Sequence, residues 1–74
     1  MAKFKPTTEA ELAAQLGPHL KAMRGELSQG AVTQGADVAP RAYLRWETGQ
    51  RLPSLRKLLD LANFHKVPVK ELLP

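Results

Sequence analysis

Arg41 and Arg45 stand four residues apart in the run PRAYLRWETG, a spacing that puts both guanidiniums on one side of a helix. A guanidinium is a planar fork of donors. It bonds bidentately to paired acceptors such as guanine O6 and N7 in a major groove, or to phosphate oxygens. Tyr43 and Trp46, three apart, fall on the opposite side. Sharing the face turned away from the arginines, they read as core residues rather than base-stacking ones. The outward set is then Pro40, Arg41, Leu44 and Arg45. Reading base edges is the favoured role for the two arginines, against phosphate contact or plain solvation. Pro40 has no N–H to donate, so its contact would be apolar, as with a thymine methyl. It also suits the first turn of a helix, where a missing N–H costs nothing. Leu44, between the arginines, has the same methyl contact open to it.

Other polar residues flank this set. Gln29 opens the preceding helix, where free backbone N–H groups and the helix dipole favour a phosphate. Thr48, Gln50 and Arg51 follow the arginine-bearing helix and are expected to meet a nucleic-acid backbone. Arg56 and Lys57 are weaker candidates, with solvated charge equally open. The chain carries a net charge of +4, which points to an anionic partner. Its distribution says more. From Val38 to Lys57 there are five basic residues and a single acid, Glu47, whereas Gly25 to Asp37 carries only the acids Glu26 and Asp37.

Catalytic chemistry finds no comparable constellation. His19 and His65 have no metal-ligand spacing around them. Glu9, Glu11 and Glu26 lack a nucleophile or a second converging group, and Ser28 sits in no G-x-S-x-G context. The expectation is a non-enzyme with no metal and no cofactor. At 74 residues the chain reads as one small domain, with no room for a ligand-sensing unit. A core of this size nets only about 3–5 kcal/mol. The absence of cysteine fits a reducing cytoplasm, and no apolar run is long enough for a membrane span or a secretory leader.

The elements that position these residues are all helical. Residues 1–7 read as a flexible basic arm carrying Lys3 and Lys5, and 8–74 as the folded domain. Thr8-Glu9-Ala10-Glu11 has the spacing of a capping box, so a helix begins there. Leu12, Leu16, Leu20 and Met23 form its apolar stripe. Pro18 interrupts the run: either the helix kinks, or Gly17 ends one helix and Pro18 begins another. Ser28 caps a second helix containing Val32 and Ala36, and Ala36-Asp37-Val38 makes a sharp turn, since Asp tolerates the left-handed conformation. Gly30 and Gly35 weaken this helix by about 1 kcal/mol each relative to Ala. Ser54 caps a fourth helix whose stripe is Leu55, Leu58, Leu59 and Ala62. Val69, Leu72 and Leu73 belong to a last short one.

The segment SQGAVTQGADVAPRAYLRWETG, residues 28–49, resembles the helix-turn-helix of the lambda-repressor/Cro-like (XRE) family. The family pattern begins Ser-Gln, turns at Gly or a similar residue and ends Glu-x-Gly; here these are Ser28-Gln29, Asp37 and Glu47-Thr48-Gly49. LGPHLKAMR resembles the family's first helix, and RLPSLRKLLDLANFHKVPVKELL its last two, so the resemblance spans residues 16–73. Departures are Thr33 in place of Ala, Asp37 in place of Gly and Ala39 in place of a Ser or Thr cap. The connection from the first helix is also shorter than usual.

The resemblance implies an all-α, five-helix DNA-binding domain and a repressor-like regulator of transcription. It places Pro40 where the family often carries a base-reading glutamine, makes Gln29 a clamp on the DNA backbone, and pairs Arg24 with Glu47 in a structural ion pair. It also puts an apolar residue at the position of His65, which reads as a half-buried core histidine. Two domains would pair across a pseudo-palindromic operator. The apolar surplus of Val67, Val69, Leu72 and Leu73 marks that end as the homodimer surface, with help from the N-terminal segment, against the reading that these residues simply complete the monomer core. The alternative is an antitoxin-like module whose N-terminal segment, Met1 to Gln15, binds a partner protein such as a toxin.

Overall fold

A computed structural model describes residues 4–74, and its elements follow from their caps. They are α1 (Glu9–Arg24), α2 (Gln29–Ala36), α3 (Pro40–Glu47), α4 (Leu55–His65) and a closing 3-10 helix (Val69–Leu72). Among the described residues the fold is all-α, and no helix is long and apolar enough to cross a membrane. Of the expected arm, residues 1–3, with Lys3, lie outside the described residues. Residues 4–7 are exposed and precede the first helix.

Side-chain oxygens start three of the helices. Thr8 accepts the Glu11 N–H at 3.1 Å, Ser28 the Ala31 N–H at 3.0 Å and Ser54 the Lys57 N–H at 3.2 Å. Each relieves one of the orphan donors of a helix N-terminus. Asp37 ends α2 with φ 56°, and Lys66 ends α4 with φ 59°. In both turns the next residue's N–H reaches back five positions, Val38 to Thr33 at 2.9 Å and Val67 to Ala62 at 3.0 Å.

Pro18 neither stops nor divides α1, which runs from Glu9 to Arg24 as one helix. The neighbouring glycine has a packing role instead of a terminating one. A Cβ on Gly17 would lie 2.6 Å from the Glu47 carbonyl oxygen, so only glycine lets α1 meet the end of α3 this closely. Pro18 has no N–H to offer the Ala14 carbonyl, and Ala14 lies on the exposed side of the helix. With α1 undivided and the last element a 3-10 helix, the five expected helices become four α-helices and one 3-10 helix. VKEL, behind Pro68, is too short to close more than i→i+3 bonds.

The core gathers Leu16 and Leu20 of α1, Val32 and Ala36 of α2, Tyr43 and Trp46 of α3, Leu61 and Ala62 of α4, and Leu72. On α4 the buried stripe differs from the expected one. Leu61 is fully buried and Leu58 half-buried, while Leu55 and Leu59 are 69% and 41% exposed. LRKLLDLANFH offers two overlapping stripes, and the one through Leu58, Leu61, Ala62 and His65 faces inward. Packing against α2 reinforces that choice, since the Phe64 ring occupies the space that a side chain at Gly35 would fill. The C-terminal surplus is likewise largely absorbed by the monomer. Leu72 is buried, Val67 and Val69 pack against the core, and Leu73 is exposed. The closing helix also docks on α1 through a hydrogen bond between His19 Nε2 and the Glu71 carbonyl.

Candidate nucleic-acid interface

The helix α3 is split lengthwise. Tyr43 and Trp46 are buried and meet edge to face, with ring centroids 6.2 Å apart. On the other side Pro40, Arg41, Leu44 and Arg45 are all exposed, so the four form one continuous outward strip. Ala39 supplies no cap, and Pro40 occupies the first turn with its ring already set to a helical φ. Arg41, Arg45 and Arg51 form no ion pair among the described residues. Their charges remain open to an outside anion.

Beyond α3 the chain folds back over its last carbonyls. The Gln50 and Arg51 N–H groups both reach the Arg45 carbonyl, at 2.9 and 3.3 Å. Thr48 Oγ1 donates to the Leu44 carbonyl at 2.9 Å and accepts from Gln50 Nε2 at 3.0 Å. Gly49 makes this turn possible: its φ is 78°, and a Cβ there would stand 3.3 Å from the Ala14 Cα of α1. Thr48, Gln50 and Arg51 are thereby gathered, exposed, at the end of the arginine strip. Gln50 and Arg51 also border a shallow cleft with Glu9, Ala10 and Ala13 at the start of α1. Arg56 and Lys57 have nearer partners. Arg56 pairs with Asp60 at 3.6 Å, and Lys57 Nζ donates to the Asp37 carbonyl at 2.8 Å, tying α4 to the turn between α2 and α3.

A polar cluster fixes α3 from behind. Arg24 Nε lies 2.7 Å from Glu47 Oε2, and Arg24 Nη2 lies 3.2 Å from Oε1, a bidentate pair between α1 and the last residue of α3. The Glu47 side chain is only 4% exposed. Burial raises its pKa, but Arg24 foremost, then the nearby Tyr43 hydroxyl and the Gln29 amide, outweigh that and hold it below the usual carboxylate range. The remaining guanidinium nitrogen, Nη1, caps the Leu27 carbonyl at 2.8 Å. The Tyr43 hydroxyl is buried with no partner in hydrogen-bonding geometry. Burial first, then the nearby Glu47 carboxylate, push its phenol far above the ordinary range, so it stays neutral.

Gln29 has a place that the sequence alone did not reveal. Half-buried at the first position of α2, its Nε2 donates to Glu47 Oε1 at 3.1 Å. The two residues are 18 apart, and no short-range spacing signals the contact. His65 is half-buried, its ring edge-on to Phe64 at 5.0 Å, and burial lowers its pKa. Among the described residues no group of three or more His, Asp and Glu converges to hold a metal ion.

The family model described as a helix-turn-helix domain matches residues 15–73. Among solved structures, the restriction-modification controller protein C.AhdI from Aeromonas hydrophila is similar with a TM-score of 0.77 and 27% identity. That match covers 82% of this chain and 96% of the controller. The DNA-binding domain of BldD is similar with a TM-score of 0.75 and 35% identity, covering 90% of this chain and 100% of that domain. No curated protein sequence matches the chain.

Proposed function

The chain belongs to the helix-turn-helix domain family, and from that membership we propose that it is a sequence-specific, repressor-like regulator that binds double-stranded DNA. Its recognition helix is α3, lying in the major groove with Arg41 and Arg45 reading guanine edges and Pro40 and Leu44 meeting thymine methyls. The observation that carries this reading is the lengthwise split of α3. Every residue able to read a base is exposed on one strip, and the aromatic pair is buried on the other. Gln29, Thr48, Gln50 and Arg51 flank that strip as contacts to the sugar-phosphate backbone, which supplies affinity without sequence preference. The likeness to a restriction-modification controller and to a DNA-binding domain supports the same reading.

One such domain reads few base pairs. We infer a homodimer on a pseudo-palindromic operator, its two recognition helices about 34 Å apart on one face of the DNA, acting in the cytoplasm. Leu55, Leu59 and Leu73 are the exposed leucines available on α4 and the C-terminal end for that pairing.

Selection of bound sites from a random duplex pool, followed by footprinting and sedimentation, tests the proposal. The expected result is a two-fold symmetric site protected by two chains, with affinity falling steeply as salt rises. A log–log salt slope near zero would instead favour a protein partner for the N-terminal segment, where Phe4 is 88% exposed. A one-to-one complex protecting a single half-site would exclude the dimer.

A further inference from the structure

Glu47 accepts more hydrogen bonds than its charge requires. Arg24 alone already reaches both carboxylate oxygens, yet Gln29 crosses from α2 to make a third contact. The direction of that contact is fixed by chemistry. An ionised carboxylate can only accept, so Gln29 must turn its amide nitrogen inward. Left to itself, a glutamine at the first position of a helix would sample several rotamers and both amide orientations. Here its side chain is set in the folded protein, before any ligand arrives.

We propose that Glu47 is a positioning residue for DNA-backbone binding: by holding one N–H of Gln29 it keeps the amide oriented so that the second N–H meets a phosphate at the start of α2. The inference rests on the reading of Gln29 as a backbone clamp. It adds that the clamp is preorganised, so the ordering cost falls on folding instead of binding. It also gives Glu47, the one acid among the five basic residues of 38–57, a part in binding an anion. Because Glu47 closes α3 and Gln29 opens α2, one carboxylate ties the clamp to the base-reading helix. A change at Glu47 is therefore expected to loosen the phosphate contact together with the seating of α3 on α1.

The test is a double-mutant cycle, E47Q, Q29A and both together. Binding is measured on the selected site and on a random duplex, with circular dichroism as a check on folding. Q29A is expected to weaken both duplexes about three- to tenfold, as loss of one hydrogen bond does. E47Q should weaken them comparably, and the double variant should bind no worse than the weaker single one. Losses that multiply in the double variant would overturn the positioning role and leave the clamp standing. Wild-type affinity for Q29A would overturn the clamp and the positioning role with it.

Should E47Q fail to fold, side-chain 15N relaxation in the unaltered protein decides. The Gln29 amide is expected to be as ordered as the backbone before DNA is added, in contrast to the exposed Gln34 amide. Equal mobility of the two would refute the proposal.

Discussion

Where α1 meets α3, backbone approaches backbone at Gly17 and Gly49, and a buried carboxylate gathers Arg24 and Gln29 around the end of α3. On the solvent side of α4 the same chain shows Leu55 and Leu59 to water, and its ion pairs are local ones between Arg56, Lys57 and Asp60. The first region is specified by contacts that admit few substitutes. In the second, apolar packing of Leu58, Leu61 and Ala62 does the holding, and the outer surface is free to vary. A domain that must present one helix at a fixed angle is expected to concentrate its exacting contacts behind that helix.

The contrast is broken most severely at Glu47. Glu47→Ala leaves the Arg24 guanidinium and the Gln29 amide without their shared acceptor, and losing one member of a buried pair costs about 3–5 kcal/mol. That equals the whole stability expected of so small a core, about 3–5 kcal/mol, so this variant should be largely unfolded by circular dichroism at 25 °C. Arg56→Ala, at an exposed local pair, should change stability by less than about 0.5 kcal/mol. Similar losses in the two variants would erase the distinction between the regions.

Gly17→Ala comes next. The added methyl meets the Glu47 carbonyl, a backbone atom that cannot swing aside, and overpacking of this kind costs about 1–3 kcal/mol in urea unfolding.

Acid should reach the two regions in turn. Burial depresses the pKa of His65, so the unfolded chain takes up that proton first. The stability this lends is complete above about pH 6.5 and drains as the pH falls through the lower folded value. Glu47 is depressed as well, and its contribution is complete above about pH 4.3 and is lost on further acidification. Urea midpoints between pH 8 and pH 3 should fall in two stages, with His65→Phe removing only the upper one. A single stage near pH 4 in the unaltered protein would show that the His65 environment is not desolvating.

How far the sequence reveals this organisation depends on range. Thr8, Ser28, Ser54 and Asp37 mark helix ends through bonds to residues at most four positions away, so α1, α2 and α4 begin where their caps stand. The outward strip of α3 is legible because Tyr43 and Trp46, three apart, settle which way the helix turns. What the sequence hid lies in contacts between distant segments. Gly17 beside Pro18 looks like a helix end until the Glu47 carbonyl is seen against it. Leu55 and Leu59 continue a valid stripe, and only packing against the rest of the core shows that Leu58 and Leu61 take the inner face. The Gln29–Glu47 bond joins two helices that no local pattern relates.

One expected effect has the opposite sign. A Cβ on Gly30 would meet only the Ser28 Oγ, at an ordinary contact distance of 3.9 Å, so Gly30→Ala should stabilise the domain by about 1 kcal/mol through helix propensity. Thermal unfolding of Gly30→Ala beside Gly17→Ala would then separate a glycine that packing requires from one that it does not. Destabilisation at both would mean that α2 is as tightly constrained as the α1–α3 junction.

The central claim is that the exposed strip of α3 reads DNA sequence, and affinity measured base by base tests it most directly. Arg41→Ala and Arg45→Ala would be titrated against the selected operator and against every single-base variant of one half-site. Each substitution should cost about 1–3 kcal/mol on the preferred site and flatten the preference at one base position, a different position for each arginine. Arg51→Ala should weaken all duplexes alike and lower the salt slope by about one. Wild-type affinity and undiminished base preference in both α3 variants would contradict the account.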